Sequence, residues 1–188
     1  MIPYNRTQRY FTQLIKAGIN TQQFNMVYAR QSSPNACWAA CLEMICKYYG
    51  VNVDQSEFQR KYCGVDMWGR PCDCAGNSAV ITENLNFCTN TYCLQTPVYY
   101  GVPDVNDLFD LLEQDSPIIL AYNLGTQIGH AVVLTAITFE ETPFGLEVYS
   151  ITVRDPSPLN RFRKGVVEYK NPWIILNNIQ AWWVPSIS

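Results

Sequence analysis

Gln31-Ser32-Ser33-Pro34-Asn35-Ala36-Cys37-Trp38-Ala39-Ala40 sets a glutamine six residues ahead of a cysteine that opens a helical run. A thiol in the first turn of a helix faces unpaired backbone N–H groups and the positive end of the helix dipole, which favour a nucleophilic thiolate. A side-chain amide close by can donate to an oxyanion formed at that thiol. The stretch therefore reads as a nucleophile site, against the plain alternative that Cys37 is one more buried core thiol.

Local signals extend outward from it. Ser33 is a candidate cap and Pro34 suits the first helical position, with Asn35 as the other capping choice; either way Cys37 falls in the first turn. Cys37, Cys41, Met44 or Ile45, and Tyr48 share a face, and Gly50 is placed to end the helix. Upstream, Tyr10, Leu14 and Ala17, with Phe11 and Ile15, predict a helix over 6–17, and 24–30 reads as a strand leading to Gln31. Downstream, Asp54 with Glu57 starts a helix to about Tyr62, and 64–76 is loop, rich in Gly, Pro and Cys. A helix over 78–87, a short strand over 97–100 and a helix capped by Asp104 follow.

Beyond Pro117 the chain changes character. Residues 117–122, 130–139 and 146–154 are apolar or β-branched runs separated by turn residues, and 181–184 supplies two tryptophans for the core or an edge strand. A helical half followed by a sheet half predicts an α+β fold of two lobes, one domain over 1–188, with 1–25 as an N-terminal arm.

Composition narrows the function. A formal charge of −3 gives no basic footprint for nucleic acid or anionic lipid. No run nears the roughly 18 apolar residues of a membrane span, so a soluble protein without membrane insertion is expected. Residues 1–30 lack the apolar segment of a signal peptide, leaving a cytoplasmic location and export as a bacterial effector both open.

A catalytic cysteine needs a base, and His130 is the single histidine. Gly129 leaves room beside it, and Ala131-Val132-Val133-Leu134 would hold it on a strand. If 131–139 and 146–154 pair as a hairpin about Thr142-Pro143-Phe144-Gly145, His130 and Asp155 have their midpoint inside the turn, between Thr142 and Pro143. They then lie within about one register step, where Asp155 could accept from the imidazole and orient it. Asp155-Pro156-Ser157-Pro158 is also an ordinary strand-ending turn.

Gln31, Cys37-Trp38-Ala39-Ala40, Gly129-His130-Ala131-Val132-Val133 and Asp155-Pro156, in that order, resemble papain-like cysteine peptidases of bacterial type. The likeness is to bacteriocin-processing (double-glycine leader) peptidases and stand-alone relatives that include plant-pathogen effector proteases, and it runs from about Met26 to Trp183. The resemblance implies a thiol protease with Cys37 as nucleophile, His130 as base, Asp155 as orienting residue and Gln31 as oxyanion donor. It implies a polypeptide substrate and no cofactor. Plant-type papains carry Asn where this chain has Asp155, and leader peptidases usually have Gly where it has Trp38. Two other functions share parts of this pattern: a catalytically silent papain-like binding module, and an acyltransferase of transglutaminase or arylamine acetyltransferase type.

Of the remaining cysteines, Cys63, Cys72, Cys74, Cys88 and Cys93 cluster in the middle of the chain. They could bind zinc, form disulfides or stay as free thiols, and no pair has the Cys-x2-Cys spacing usual for zinc. Cys41 is expected in the core, while Cys46 could reach a bridge partner.

Overall fold

The computed structural model describes residues 13–88, 93–125, 129–160 and 162–187, with 87, 88, 93–95, 186 and 187 described as backbone alone. The elements run β1 (Leu14–Gly18), α1 (Thr21–Val27), α2 (Cys37–Tyr48), α3 (Gln55–Cys63), α4 (Ser78–Leu85), β2 (Phe87–Cys88), β3 (Cys93–Gln95), β4 (Val98–Tyr100) and α5 (Val105–Glu113). Then come β5 (Ile118–Tyr122), β6 (His130–Thr142), β7 (Gly145–Arg154), β8 (Val166–Tyr169), α6 (Trp173–Leu176), β9 (Ile179–Trp183) and β10 (Ser186–Ile187). The expected mixture of a helical first half and an antiparallel second half is what forms.

The main sheet has the order β4-β9-β5-β6-β7-β8, with β1 also on β6. β6 is long enough to take two partners along one edge, β5 at 130–134 and β1 at 136–140, while β7 pairs along the other. α2 packs across β6, and α1, α3 and α4 pack around α2. Nearly every α2 side chain is buried, from Cys37 through Cys46, so this helix is the centre of its lobe. Trp38 and Trp183 are among the largest fully buried side chains, and Trp183 donates from its indole to the Thr82 hydroxyl at 2.9 Å, joining β9 to α4.

Three local expectations are corrected. Residues 14–18 are a strand, because pairing with β6 outweighs a short helical spacing; the rest of the 6–17 segment, apart from Gln13, lies outside the described residues. The strand expected over 24–30 does not form: 21–27 are helical, since the Asn20 side chain accepts from the N–H groups of Gln22 and Gln23 at 3.1 Å, and 28–30 have no regular structure. The nucleophile helix begins at Cys37 and not at Pro34, with Ala36 before it and no side-chain cap. Of the two places expected for the tryptophans of 181–184, the core is the one they take: Trp182 and Trp183 are buried on β9, interior to the sheet between β4 and β5.

Candidate active site

Cys37, His130 and Asp155 come together where the first turn of α2 meets the start of β6 and the end of β7. His130 Nε2 lies 2.9 Å from Asp155 Oδ1, which leaves the ring's other nitrogen, Nδ1, for the Cys37 side chain. The hairpin that delivers the pair is longer than its sequence suggests. Thr142 pairs with Gly145, and extra residues, Tyr149 on β7 and Thr135 on β6, shift the register twice in opposite senses. Val133 opposite Arg154 then projects Asp155 to the level of Val132. His130 and Asp155 are therefore diagonal neighbours on one face, a distance that two side chains bridge.

Asp155 is buried and both its oxygens accept hydrogen bonds. Oδ1 also accepts from the Ser157 N–H at 2.8 Å, and Oδ2 accepts from the Asn160 amide at 2.7 Å. Burial opposes its charge, but the His130 hydrogen bond and positive charge, with the Ser157 and Asn160 donors, hold its carboxyl below the usual carboxylate range. Burial likewise opposes protonation of His130. Its hydrogen bonds to Asp155 and Cys37, and their negative charges, prevail and lift it to about 10. The Tyr122 ring, paired with His130 across β5 and β6, stands perpendicular to the imidazole at a centroid distance of 5.8 Å and helps to fix its plane.

The loop before α2 is held as firmly. Asp73 accepts from the Ser33 hydroxyl at 2.7 Å, the Asn35 N–H at 3.1 Å and the Asn35 amide at 3.0 Å. Gln59 bonds both Ser32 and Ser33 at 3.0 Å. Gln31 is buried; its Nε2 donates to the carbonyls of Ser33 at 3.0 Å and Pro34 at 2.9 Å, and its Oε1 has no partner among the described residues. Because no side chain caps α2, the N–H groups of its first turn keep their donor capacity at the thiol.

A cleft of about 380 Å³ opens over Cys37 and His130. One wall is formed by Trp38, Gly76 and Asn77, the other by Gly129, Gln180 and Tyr100. The Trp38 indole donates to the Cys74 carbonyl at 3.0 Å, and Gly76 lies so flat on the Trp38 ring that a Cβ there would collide with it. Of the other aromatics, Tyr122 contacts His130, Tyr99 stacks on Trp182 at 4.3 Å away from the cleft, and exposed Trp68 carries Arg70 over its ring at 4.8 Å. Trp38 was visible as the residue after the cysteine; Gly76, Tyr100 and Gln180 carry no local signal.

Cys63 and Cys74 form a disulfide across 11 positions, with Cα atoms 5.8 Å apart. Cys41, Cys46 and Cys72 are free. Burial pushes the Cys46 thiol up to about 12, and burial with the neighbouring Cys37 and Asp155 raises Cys41 strongly, so both are inert core thiols and Cys46 reaches no bridge partner. Cys88 and Cys93 occupy paired backbone positions on β2 and β3; their side chains lie outside the described residues.

Residues 20–172 match the family model of the papain-like cysteine protease AvrRpt2. The chain belongs to this family. It is a cysteine-type peptidase, a hydrolase. The peptidase domain of Streptococcus ComA, a bifunctional ABC transporter of a quorum-sensing pathway, shares its fold with a TM-score of 0.53 at 16% identity, over 85% of this chain and 96% of that one. A double-glycine-motif protease from an AMS/PCAT transporter, solved with leader peptide, gives 0.46 at 19% identity, over 84% and 89% of the two chains. Digestive procathepsin L2 from the larval midgut of Tenebrio molitor gives 0.48 at 13% identity, over 97% and 70%. No curated protein matches the chain by sequence. The AvrRpt2-family match thus spans both the Cys37 helix and the hairpin that carries His130 and Asp155. Among its described residues no helix is long and apolar enough to cross a membrane.

Proposed function

We propose that this peptidase hydrolyses polypeptide substrates through Cys37, His130 and Asp155, with Gln31 assisting at the oxyanion. The observation that carries the reading is the 2.9 Å hydrogen bond of Asp155 to the His130 ring, with the Cys37 side chain beside that ring, at the floor of an open cleft. Cys37 gives its proton to His130 Nδ1 and its sulfur attacks the scissile carbonyl. The carbonyl oxygen becomes an oxyanion, stabilised by the Cys37 backbone N–H and by an N–H of the Gln31 amide, which exchanges one loop carbonyl for it. His130 returns the proton to the leaving amine, releasing it and leaving a thioester on Cys37. Water, deprotonated by the same ring, then hydrolyses the thioester and restores the thiol. Asp155 keeps Nδ1 aimed at the sulfur and stabilises the charged ring throughout.

The cleft is open, which suits a substrate laid across it as an extended chain between Trp38 and Asn77 on one side and Gln180 on the other. Residues 1–188 act as one peptidase domain in this reading: one apolar cluster runs from Ala17 to Trp183 and includes side chains of both lobes. The test is a peptide-library cleavage profile with the wild-type chain and Cys37→Ala. Cleavage products that carry water at the new carboxyl, absent with Cys37→Ala and blocked by an epoxide thiol inhibitor, are expected. Full hydrolysis by Cys37→Ala would overturn the assignment, and products joined to an amine acceptor would mark an acyltransferase instead.

A further inference from the structure

A second cavity, of about 330 Å³, lies between β1, β6, β7 and β8 and shares no lining residue with the catalytic cleft. Arg154 lines it, and with 2% exposure the arginine is buried. Among the described residues its hydrogen bonds all run from Nη1, to Asn25 Oδ1 at 2.7 Å and to the Lys164 carbonyl at 3.1 Å, and Nη2 and the buried Nε have no partner there. Among the described residues no carboxylate forms an ion pair with the guanidinium. The Phe24 ring lies beneath the guanidinium, 5.7 Å from its centre. A buried cation that lacks a counter-charge is costly to the fold. Among the described residues the cavity beside it is lined by no acidic side chain; it has exposed Lys16 at its rim and Thr21, Thr135 and Thr152 in its wall, the Thr135 hydroxyl donating to the Thr152 carbonyl at 3.2 Å.

We propose that this cavity binds a small tetrahedral oxyanion of the phosphate class. A guanidinium with unused N–H groups on Nε and Nη2 matches two oxygens of such an anion, and the Lys16 ammonium supplies a point charge from the other side. The Thr21 and Thr152 hydroxyls serve the remaining oxygens, the Thr135 proton being held by the Thr152 carbonyl. A planar carboxylate would use the fork and leave the lysine and hydroxyls unmatched. Arg154 immediately precedes Asp155, so an occupied site stiffens the end of β7 from behind the triad without entering the cleft.

Inorganic phosphate, titrated calorimetrically at constant ionic strength against chloride, tests the site in the wild-type and Cys37→Ala chains. Saturable binding of one phosphate per chain is expected in both, with a raised thermal midpoint, weaker binding of acetate and no rise in KM for a peptide substrate. Lys16→Gln, far from the cleft, is expected to bind phosphate about tenfold more weakly while keeping its phosphate-free peptidase activity. Arg154→Lys should weaken it further; if that variant does not fold, Lys16→Gln decides. Absence of saturation below about 10 mM, undiminished binding by Lys16→Gln, equal binding of acetate, or competition with the peptide would each overturn the proposal. Because binding is read in Cys37→Ala as well, its failure is distinct from a failure of the proposed catalytic mechanism.

Discussion

The backbone N–H of Gln31 donates to the carbonyl of Pro156 at 2.9 Å, joining the loop before the nucleophile directly to the turn that follows Asp155. The two lobes are therefore registered to one another at the site and not only through the distant core. An arrangement tied this closely makes the site residues sensitive to changes that touch neither sulfur nor imidazole.

Asp155→Asn is expected to keep more activity than Asp155→Ala, because the amide oxygen can still accept from the His130 Nε2–H, whereas alanine loses orientation as well as charge. The alanine variant should fall by about 10²-fold or more in kcat/KM. The reaction needs a proton on His130 for the leaving amine, and Asp155 helps lift that ring to about 10, so the alkaline limb of the pH profile should move to lower pH in Asp155→Asn. Stability follows the same sign. A folded ring that holds its proton to about 10, against the ordinary 6.5, contributes fully below 6.5 and loses that contribution as pH rises toward 10. Thermal midpoints across that range should decline more steeply for wild type than for His130→Gln.

Gln31→Ala should reduce kcat by about 10²-fold if its amide serves the oxyanion. Gln31 also holds the Ser33 and Pro34 carbonyls, so part of the loss could come from loop disorder. The thermal midpoint separates the two effects: losing the loop hydrogen bonds lowers it, whereas losing the oxyanion donor lowers kcat of the chain that stays folded. Steady-state kinetics at matched folded fractions, measured by near-ultraviolet circular dichroism, supply the check.

Gly165 has φ +66°, and a Cβ there would collide with the Tyr28 ring and the Asp155 carbonyl. Its own carbonyl accepts from the Asp155 N–H at 2.8 Å, and the Tyr28 hydroxyl donates to the Asp155 carbonyl at 3.2 Å. Gly165→Ala should cost about 2–5 kcal/mol from left-handed strain and overpacking. Urea unfolding measures that cost, and activity should fall in the fraction that stays folded because the Asp155 backbone has moved.

The Cys63–Cys74 bridge closes the loop whose Asp73 clamps Ser33 and Asn35, so the covalent link and the carboxylate support the nucleophile together. Replacing both cysteines by serine should lower stability by about 2–3 kcal/mol, the value for a loop of this length. A reductant should lower the wild-type midpoint similarly and leave the double-serine variant unchanged. Asp73→Ala should lower kcat with the midpoint less affected, since it removes loop hydrogen bonds worth about 1–3 kcal/mol without opening the bridge.

What the sequence determined by itself is local. Asp54, Asn77 and Asp104 cap the helices that follow them, Gly50 ends α2 in the left-handed region, and Cys37 falls in a first turn because an apolar helical face starts there. The symmetry of one hairpin was enough to pair His130 with Asp155, though the turn centre and the cancelling irregularities at Thr135 and Tyr149 set the contact as diagonal. Tertiary structure decided the rest. Residues 14–18 became a strand only because the free edge of β6 was there to pair with, and β9 entered the sheet between β4 and β5 through partners about 60 to 80 positions away. The clamp by Asp73, the Asn160 donor to Asp155 and the isolated charge of Arg154 arise from groups brought together by packing. Capping and periodicity act over a few residues and leave a mark in the chain; a hydrogen bond between distant loops, or the lack of one, exists only once the core has fixed where those loops stand.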